Sequence, residues 1–317
     1  MPENPFPYSD TNKRYLTQSY YLKKRFGQKV MKISLNCGFT CPNIDGSKGY
    51  GGCTFCLSGS GGFGGERGRP VTEQFYEVKE RMNRKWSEGR YIPYFQANTN
   101  TYAPAWRLRE LYEEALGLPN VVGLAISTRP DCVDDETLDL LEELSGQTYL
   151  TVELGLQTIH DKTAERLNRC HSSDDFFKCT ERLHGRGINV CAHIINGLPG
   201  EDHSMMLQTV RALAGLPIHQ VKIHLLHILR GTKLAEDYFH GEFILPTLEE
   251  YVETVCAQLE ILPPEVIIGR ITGDGGRDVL EAPLWSLKKF TVMNEIDKKL
   301  ARENRWQGKL YGNGQRT

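Results

Sequence analysis

Residues 37–65 read CGFTCPNIDGSKGYGGCTFCLSGSGGFGG, and the meaning given to this stretch decides the rest of the chain. It holds four of the nine cysteines. Cys41, Cys53 and Cys56 stand as C-x11-C-x2-C after a short apolar run, with Phe55 directly before the last. Thiolates are soft ligands that select iron-sulfur clusters, zinc or cuprous copper. Two site chemistries fit the spacing. With Cys37 included, the set becomes C-x3-C-x11-C-x2-C, enough to close a tetrahedral structural zinc site. With Cys37 assigned to the preceding strand, three thiolates remain, and three thiolates on a [4Fe-4S] cluster leave one iron open to a small chelating molecule.

Outward from this loop, a length of 317 residues with 39% hydrophobic content is ample for a buried core. The net charge of -2 gives no bulk case for nucleic acid or an anionic membrane. An odd number of cysteines without a signal-like start predicts a reducing, cytoplasmic setting and argues against a disulfide framework. No apolar run approaches the ~20 residues that span a bilayer. Residues 1–30 form an N-terminal arm whose Lys23-Lys24-Arg25 run either caps one end of the fold or touches RNA.

From residue 31, short β-branched or aromatic runs alternate with amphipathic segments, the pattern of parallel βα units. The runs end near Asn36, Gln96, Ser127, Gly155, Asn196 and Leu229. The expectation is an α/β fold: a partial (β/α)6 TIM-type barrel over 31–240, with the N-terminal arm before it and a C-terminal extension, 241–317, closing its side. In such barrels the working residues sit on loops at the C-terminal ends of the strands. The polar motifs fall there: QANTNTY at 96–102, Ser127 to Asp131, Glu153 to Gln157, Asn168 to His171, and Asn196 to Glu201. Asp131 or Asp134 begins the helix after the third strand, which leaves Arg129 unexplained by capping. The strand in EVIIGRITGDGG is a candidate seventh, which makes Arg270, Asp274 and Trp285 candidates for touching a substrate at the open side. His224 and His227, three apart, point to opposite faces of a strand. Cys37, Cys132, Cys179, Cys191 and Cys256 read as packing residues.

The cysteine loop with Phe55, followed in order by TRPD, VELGLQT, LNRCH, INGLPGE and LRGTKL, resembles radical S-adenosylmethionine (SAM) proteins of the Elongator-catalytic-subunit-like group. The tail GRITGDGGRDVLEAPLWSLKKFTVMNEI resembles the YhcC type within it. This resemblance implies that Cys41, Cys53 and Cys56 hold a [4Fe-4S] cluster whose fourth iron binds SAM. Reductive cleavage of SAM then gives methionine and a 5′-deoxyadenosyl radical that abstracts hydrogen from a substrate. It further implies that Phe55 packs near the adenosine and that Arg169 pairs with the SAM carboxylate. Gln157 serves the methionine or ribose, and Glu153 the ribose. Gln96 and Asn98 lie in the run that takes the SAM amino group, and the turn from Gly197 to Gly200 borders the adenine. Ser127 replaces an acid of the family pattern, and Cys170 replaces a glycine. An electron donor such as flavodoxin or ferredoxin is the implied partner. The substrate expectation stays open between RNA, with tRNA possible, and a small metabolite. The expectation from a different class is a non-enzymatic zinc or iron-sulfur scaffold. No second group of clustered cysteines suggests an auxiliary cluster.

Overall fold

The computed structural model describes residues 4–57, 64–84, 89–273 and 275–312. Its strands are β1 (Val30–Leu35), β2 (Arg90–Phe95), β3 (Gly123–Thr128), β4 (Tyr149–Gln157), β5 (Asn189–Asn196), β6 (Gln220–Leu225), β7 (Ile228–Leu229), β8 (Ile267–Arg270) and β9 (Leu280–Ala282). Its α-helices are α1 (Gln18–Phe26), α2 (Val71–Asn83), α3 (Ala105–Leu116), α4 (Asp135–Gln147), α5 (Asp161–Arg166), α6 (Ser173–Gly185), α7 (His203–Ala214), α8 (Lys233–Phe239), α9 (Leu248–Ile261) and α10 (Lys289–Arg302). Six strands pair in chain order and β8 adds a seventh beyond β6, all parallel. The sheet is a half-barrel: the expected six βα units plus the candidate seventh strand. The short α5 and α8 were not legible as periodic segments, because six or seven residues hold too little of a helical repeat.

Alternation along each strand splits the side chains into two sets. Met31, Ile33 and Leu35, Val152 and Leu154, Val190, Ala192 and Ile194, and Val221 and Ile223 face the helices and form the main core. The inner face is stratified. At its base, Leu22, Tyr21 and Phe26 of α1 pack with Val30, Ile92, Ala125 and Tyr149, so the arm is a stopper in the barrel floor. Its start is tied to the last strand, where Ile268 N donates to Leu16 O at 2.7 Å, and α1 packs on both β1 and β8. Thr17 caps α1 by accepting from Tyr20 N, and Gly27, at φ 73°, ends it in the left-handed conformation. The Lys23-Lys24-Arg25 run is thus the last turn of a capping helix.

Helix starts follow the sequence signals. Asp134, not Asp131, caps α4, accepting from Thr137 N at 2.8 Å. Ser172 with Asp175 and Thr247 with Glu250 form capping boxes at α6 and α9. Among the described residues no helix is long and apolar enough to cross a membrane.

Candidate active site

The cysteine loop leaves β1 and folds over the C-terminal ends of the strands. Cys41 O accepts from Ile44 N at 2.8 Å and Asp45 N at 3.1 Å, turning the chain immediately after the first ligand candidate. Gly52 N returns to Asn43 O at 2.8 Å, and Cys56 N to Cys53 O at 2.9 Å. The segment after α5 bolts this loop down. Asn168 Nδ2 donates to Tyr50 O at 3.0 Å and Gly52 O at 2.8 Å, while the Asn43 amide donates to Asn168 O and approaches Cys53 Sγ at 3.6 Å. Thr54 is held on both sides, its N–H on Leu167 O and its carbonyl under Leu234 N. Gly49 is required by close approach: a Cβ there would stand 2.3 Å from Asn43 Oδ1 and 2.8 Å from Cys170 Sγ.

Cys53 is the most enclosed of the three thiols and Cys56 the most exposed. Burial pushes the Cys53 thiol up to about 12, with Cys56 adding to the shift and Arg129 opposing it. The sulfurs of Cys41, Cys53 and Cys56 lie in one another's field, yet among the described residues they are not gathered within 4.8 Å as a set. Cys37 turns the other way. It packs against the main core, where burial pushes it up to about 12 and Glu114 and Arg107 of α3 are its charged neighbours.

Arg129, which helix capping left unexplained, is a bracket. Its Nε and NH2 grip both oxygens of Asp131 at 2.9 Å, and its NH1 and NH2 reach the carbonyls of Arg169 at 2.9 Å and Cys170 at 3.1 Å. Lys48 of the cysteine loop joins Asp131 at 2.7 Å. One guanidinium therefore ties the third strand to the turn beneath the cysteine loop, and it does so beside Cys41 and Cys53. His171 is buried between the two arginines, which brings it down to about 4 and keeps the ring neutral.

The remaining predicted residues divide between the mouth and the walls. Phe55 packs beside Leu167, Leu198, Leu226, Ile228 and Leu234, an apolar patch at the ends of β5 and β6 next to the Gly197–Gly200 turn. Gly197 has φ 86°, and a Cβ would meet Pro246 Cδ at 2.9 Å; Gly200 has φ 83° and faces open space. Gln157 ends β4 at φ 61°, with its Oε1 buried and lacking a hydrogen-bond partner among the described residues. Gln96 N donates to Leu35 O at 3.1 Å, and Asn98, at φ 57°, donates from Nδ2 to Phe39 O at 2.8 Å, so this run clasps the start of the cysteine loop. Arg169 is 1% exposed. Its Nε donates to His171 O at 2.9 Å, its NH1 to the carbonyls of Leu156 and Thr158, and its NH2 to Asp161 at 3.3 Å, which engages four of its five N–H groups within the chain. Trp285 packs at 5.6 Å on Tyr251, and Asp274 lies outside the described residues.

Glu153 sits lower, in the middle of β4, fully buried. One carboxylate oxygen takes Lys32; the other takes Lys222 and, at 2.7 Å, His193 Nε2. Burial alone would raise this carboxyl, but Lys222, Lys32 and His193 hold it well below the usual range. Both ammonium groups also lie over Tyr94, 4.9 and 4.7 Å from the ring centroid. His224 stacks beside His193 with ring centroids 5.1 Å apart, and Cys191 shares this interior face. Sequence reasoning found Glu153 and placed His224 and His227 on opposite faces, but it missed Lys32, His193 and Lys222; Cys191, read as a packing residue, is fully buried on this interior face. The signal was present: each is a polar or sulfur residue alternating with the outward apolar set of its own strand.

Comparison with known proteins follows this geometry. The radical SAM superfamily model matches residues 48–213, and the radical SAM C-terminal domain model matches residues 218–302. The uncharacterized protein YtqA of Bacillus subtilis is 49% identical over 312 residues, covering 98% of this chain and 97% of that one. Protein YhcC of Escherichia coli is 42% identical over 292 residues, covering 92% of this chain and 93% of that one. The solved structure of Elp3 from the archaeon Methanocaldococcus infernus, with an N-terminal deletion, superposes with a TM-score of 0.68 at 20% identity, over 88% of this chain and 64% of that chain. It shares the half-barrel.

Proposed function

The chain belongs to the radical SAM superfamily and is an enzyme, and from this premise we propose that Cys41, Cys53 and Cys56 hold a [4Fe-4S] cluster that binds SAM through its fourth iron. When bound, that cluster supplies the electron that cleaves SAM to methionine and a 5′-deoxyadenosyl radical, which takes hydrogen from the substrate. The observation that carries the reading is the loop geometry: three thiols on one braced loop over the barrel mouth, with Cys56 and Cys41 near enough for their charge to act on Cys53. Cys37, turned into the outer core, leaves the set at three.

The donor set at the mouth suits a zwitterionic, nucleoside-bearing ligand. Gln157 Oε1, Thr99 Oγ1 and Thr54 Oγ1 are buried polar atoms whose hydrogen bonding a ligand would complete. Phe55 and the leucine patch offer an apolar wall for a base, with the Gly197–Gly200 turn as its rim. Arg129 supports the loop and offsets thiolate charge from behind. Arg169 is proposed to act mainly by fixing the end of β4, and with it Gln157, through the carbonyls of Leu156 and Thr158. A one-electron donor of the flavodoxin or ferredoxin type is the proposed partner.

The test is anaerobic. The chain is reconstituted with iron and sulfide, reduced and given SAM, with Cys53→Ala as control. Close to four irons per chain and 5′-deoxyadenosine from the wild type, with neither from the variant, is the expected result. One zinc, no cluster and no product would overturn it.

A further inference from the structure

The middle of the half-barrel carries more positive than negative charge. Lys32 of β1 and Lys222 of β6 converge on a single carboxylate, Glu153. Arg270, on the strand beyond Lys222 and in register with it, lies near enough for its field to reach both His193 and His224. The two histidines do not redress the balance. Burial, then Lys222, keeps His193 neutral with its pKa down to about 4, and His224 is driven the same way by burial, His193 and Arg270. His193 spends Nε2 on Glu153, while His224 Nε2, deep in the barrel, has no hydrogen-bond partner among the described residues.

These groups are deep without being sealed: Lys32 is 19% exposed, His193 17% and Lys222 8%. A groove of about 1150 Å³ runs between the arm, α1, β8 and α10, with Val30 of β1 and Gly269 and Arg270 of β8 in its wall. It lies where the first and last strands of the half-barrel fail to pair. Six basic residues line it, among them Lys23, Lys24, Lys29 and Arg270, against one acid, Asp10.

We infer that the interior layer of Lys32 and Lys222, with His224 beside them, is a binding site for an anionic group of the substrate, a phosphate or a carboxylate, admitted from the open side of the half-barrel. Clustered cations inside a low-dielectric wall attract an anion and raise its local concentration. Glu153, Cys191 and His193 bring ligand atoms within 4.8 Å of one another, close enough for a metal ion. A divalent cation there would have to displace two ammonium groups from Glu153 and would add charge of the sign already in surplus. An anion relieves that surplus. The inference deepens the radical SAM reading by naming a chemical feature of its substrate, and it rests on that reading only for the word substrate.

The experiment measures equilibrium binding of inorganic phosphate to the full chain, reconstituted anaerobically, in chloride of fixed ionic strength. One phosphate per chain is expected, bound equally with and without saturating SAM. Lys222→Met and Lys32→Met should each weaken it about tenfold or more, Lys222→Arg should restore it to within about threefold, and Lys178→Met on the exposed face of α6, away from the groove, should leave it unchanged. Absence of saturable binding, or equal binding by Lys222→Met, overturns the site. Displacement of phosphate by SAM, mole for mole, also overturns it, assigning these cations to the SAM carboxylate. Cys53→Ala separates the two readings: phosphate binding that survives there, with no 5′-deoxyadenosine ever formed by the wild type, would keep the anion site and remove the radical chemistry. Product formation without phosphate binding would do the reverse.

Discussion

Replacing Glu153 by glutamine removes one negative charge from the barrel interior and almost no volume. The carboxylate is fully buried and is the common partner of Lys32, Lys222 and His193. Without it, two ammonium groups remain close to Tyr94, 4.9 and 4.7 Å from its centroid. Two unit charges about 6 Å apart at an effective dielectric of about 20 repel by about 3 kcal/mol. Breaking a buried ion pair from one side costs about 3–5 kcal/mol by mutational precedent, in the same range. At about 2 °C per kcal/mol for a chain of this length, the Tm of Glu153→Gln should fall by roughly 6–10 °C. The assay is thermal and urea unfolding, with a double-mutant cycle against Lys222→Met. Lys222→Met should cost less alone than in sum, because it removes one of the two repelling charges, so the double variant recovers about 2 kcal/mol. A Tm within about 2 °C of wild type, or strictly additive variants, would refute this account of the interior.

Other expectations follow from the same structure. His219, on the barrel floor against Tyr149 and Tyr21, is depressed to about 4 by burial, with Arg25 adding to it. Its folded pKa lies below its unfolded value of about 6.5, so its contribution is full above that pH and lost as pH falls toward about 4. Allowing for solvent screening, unfolding free energy should drop by about 1–2 kcal/mol from this group between about pH 7 and 5, and His219→Phe should remove that part of the slope. Arg129→Lys cannot grip Asp131 and two carbonyls together; urea unfolding should report a loss of about 2–3 kcal/mol, and iron content after reconstitution should fall. A fully loaded, equally stable variant would contradict the bracket. Gln157→Leu should leave the Tm within about 2 °C, since Oε1 has no hydrogen-bond partner among the described residues, but weaken SAM binding about tenfold by equilibrium dialysis.

The sequence by itself determined the half-barrel and its mouth. Period-2 apolar runs alternating with amphipathic helices admit few other topologies, and the ordered motifs all fall at strand ends. The three loop cysteines were legible because their spacing is short-range and of the kind metal ligands take. Only the tertiary structure decided what long-range closure decides. Asp131 and Asp134 are equally good caps on paper, yet the first is claimed by Arg129 and Lys48 across the fold. Cys37 and Cys41 lie four residues apart, and the turn after β1 sends one to the outer core and the other to the mouth. Lys32, Glu153, His193 and Lys222 come from four strands spread over nearly 200 residues, and alternation places each on an inner face without saying which of them meet. Parallel pairing in a fixed register brings them to one layer, and burial there makes their charges count.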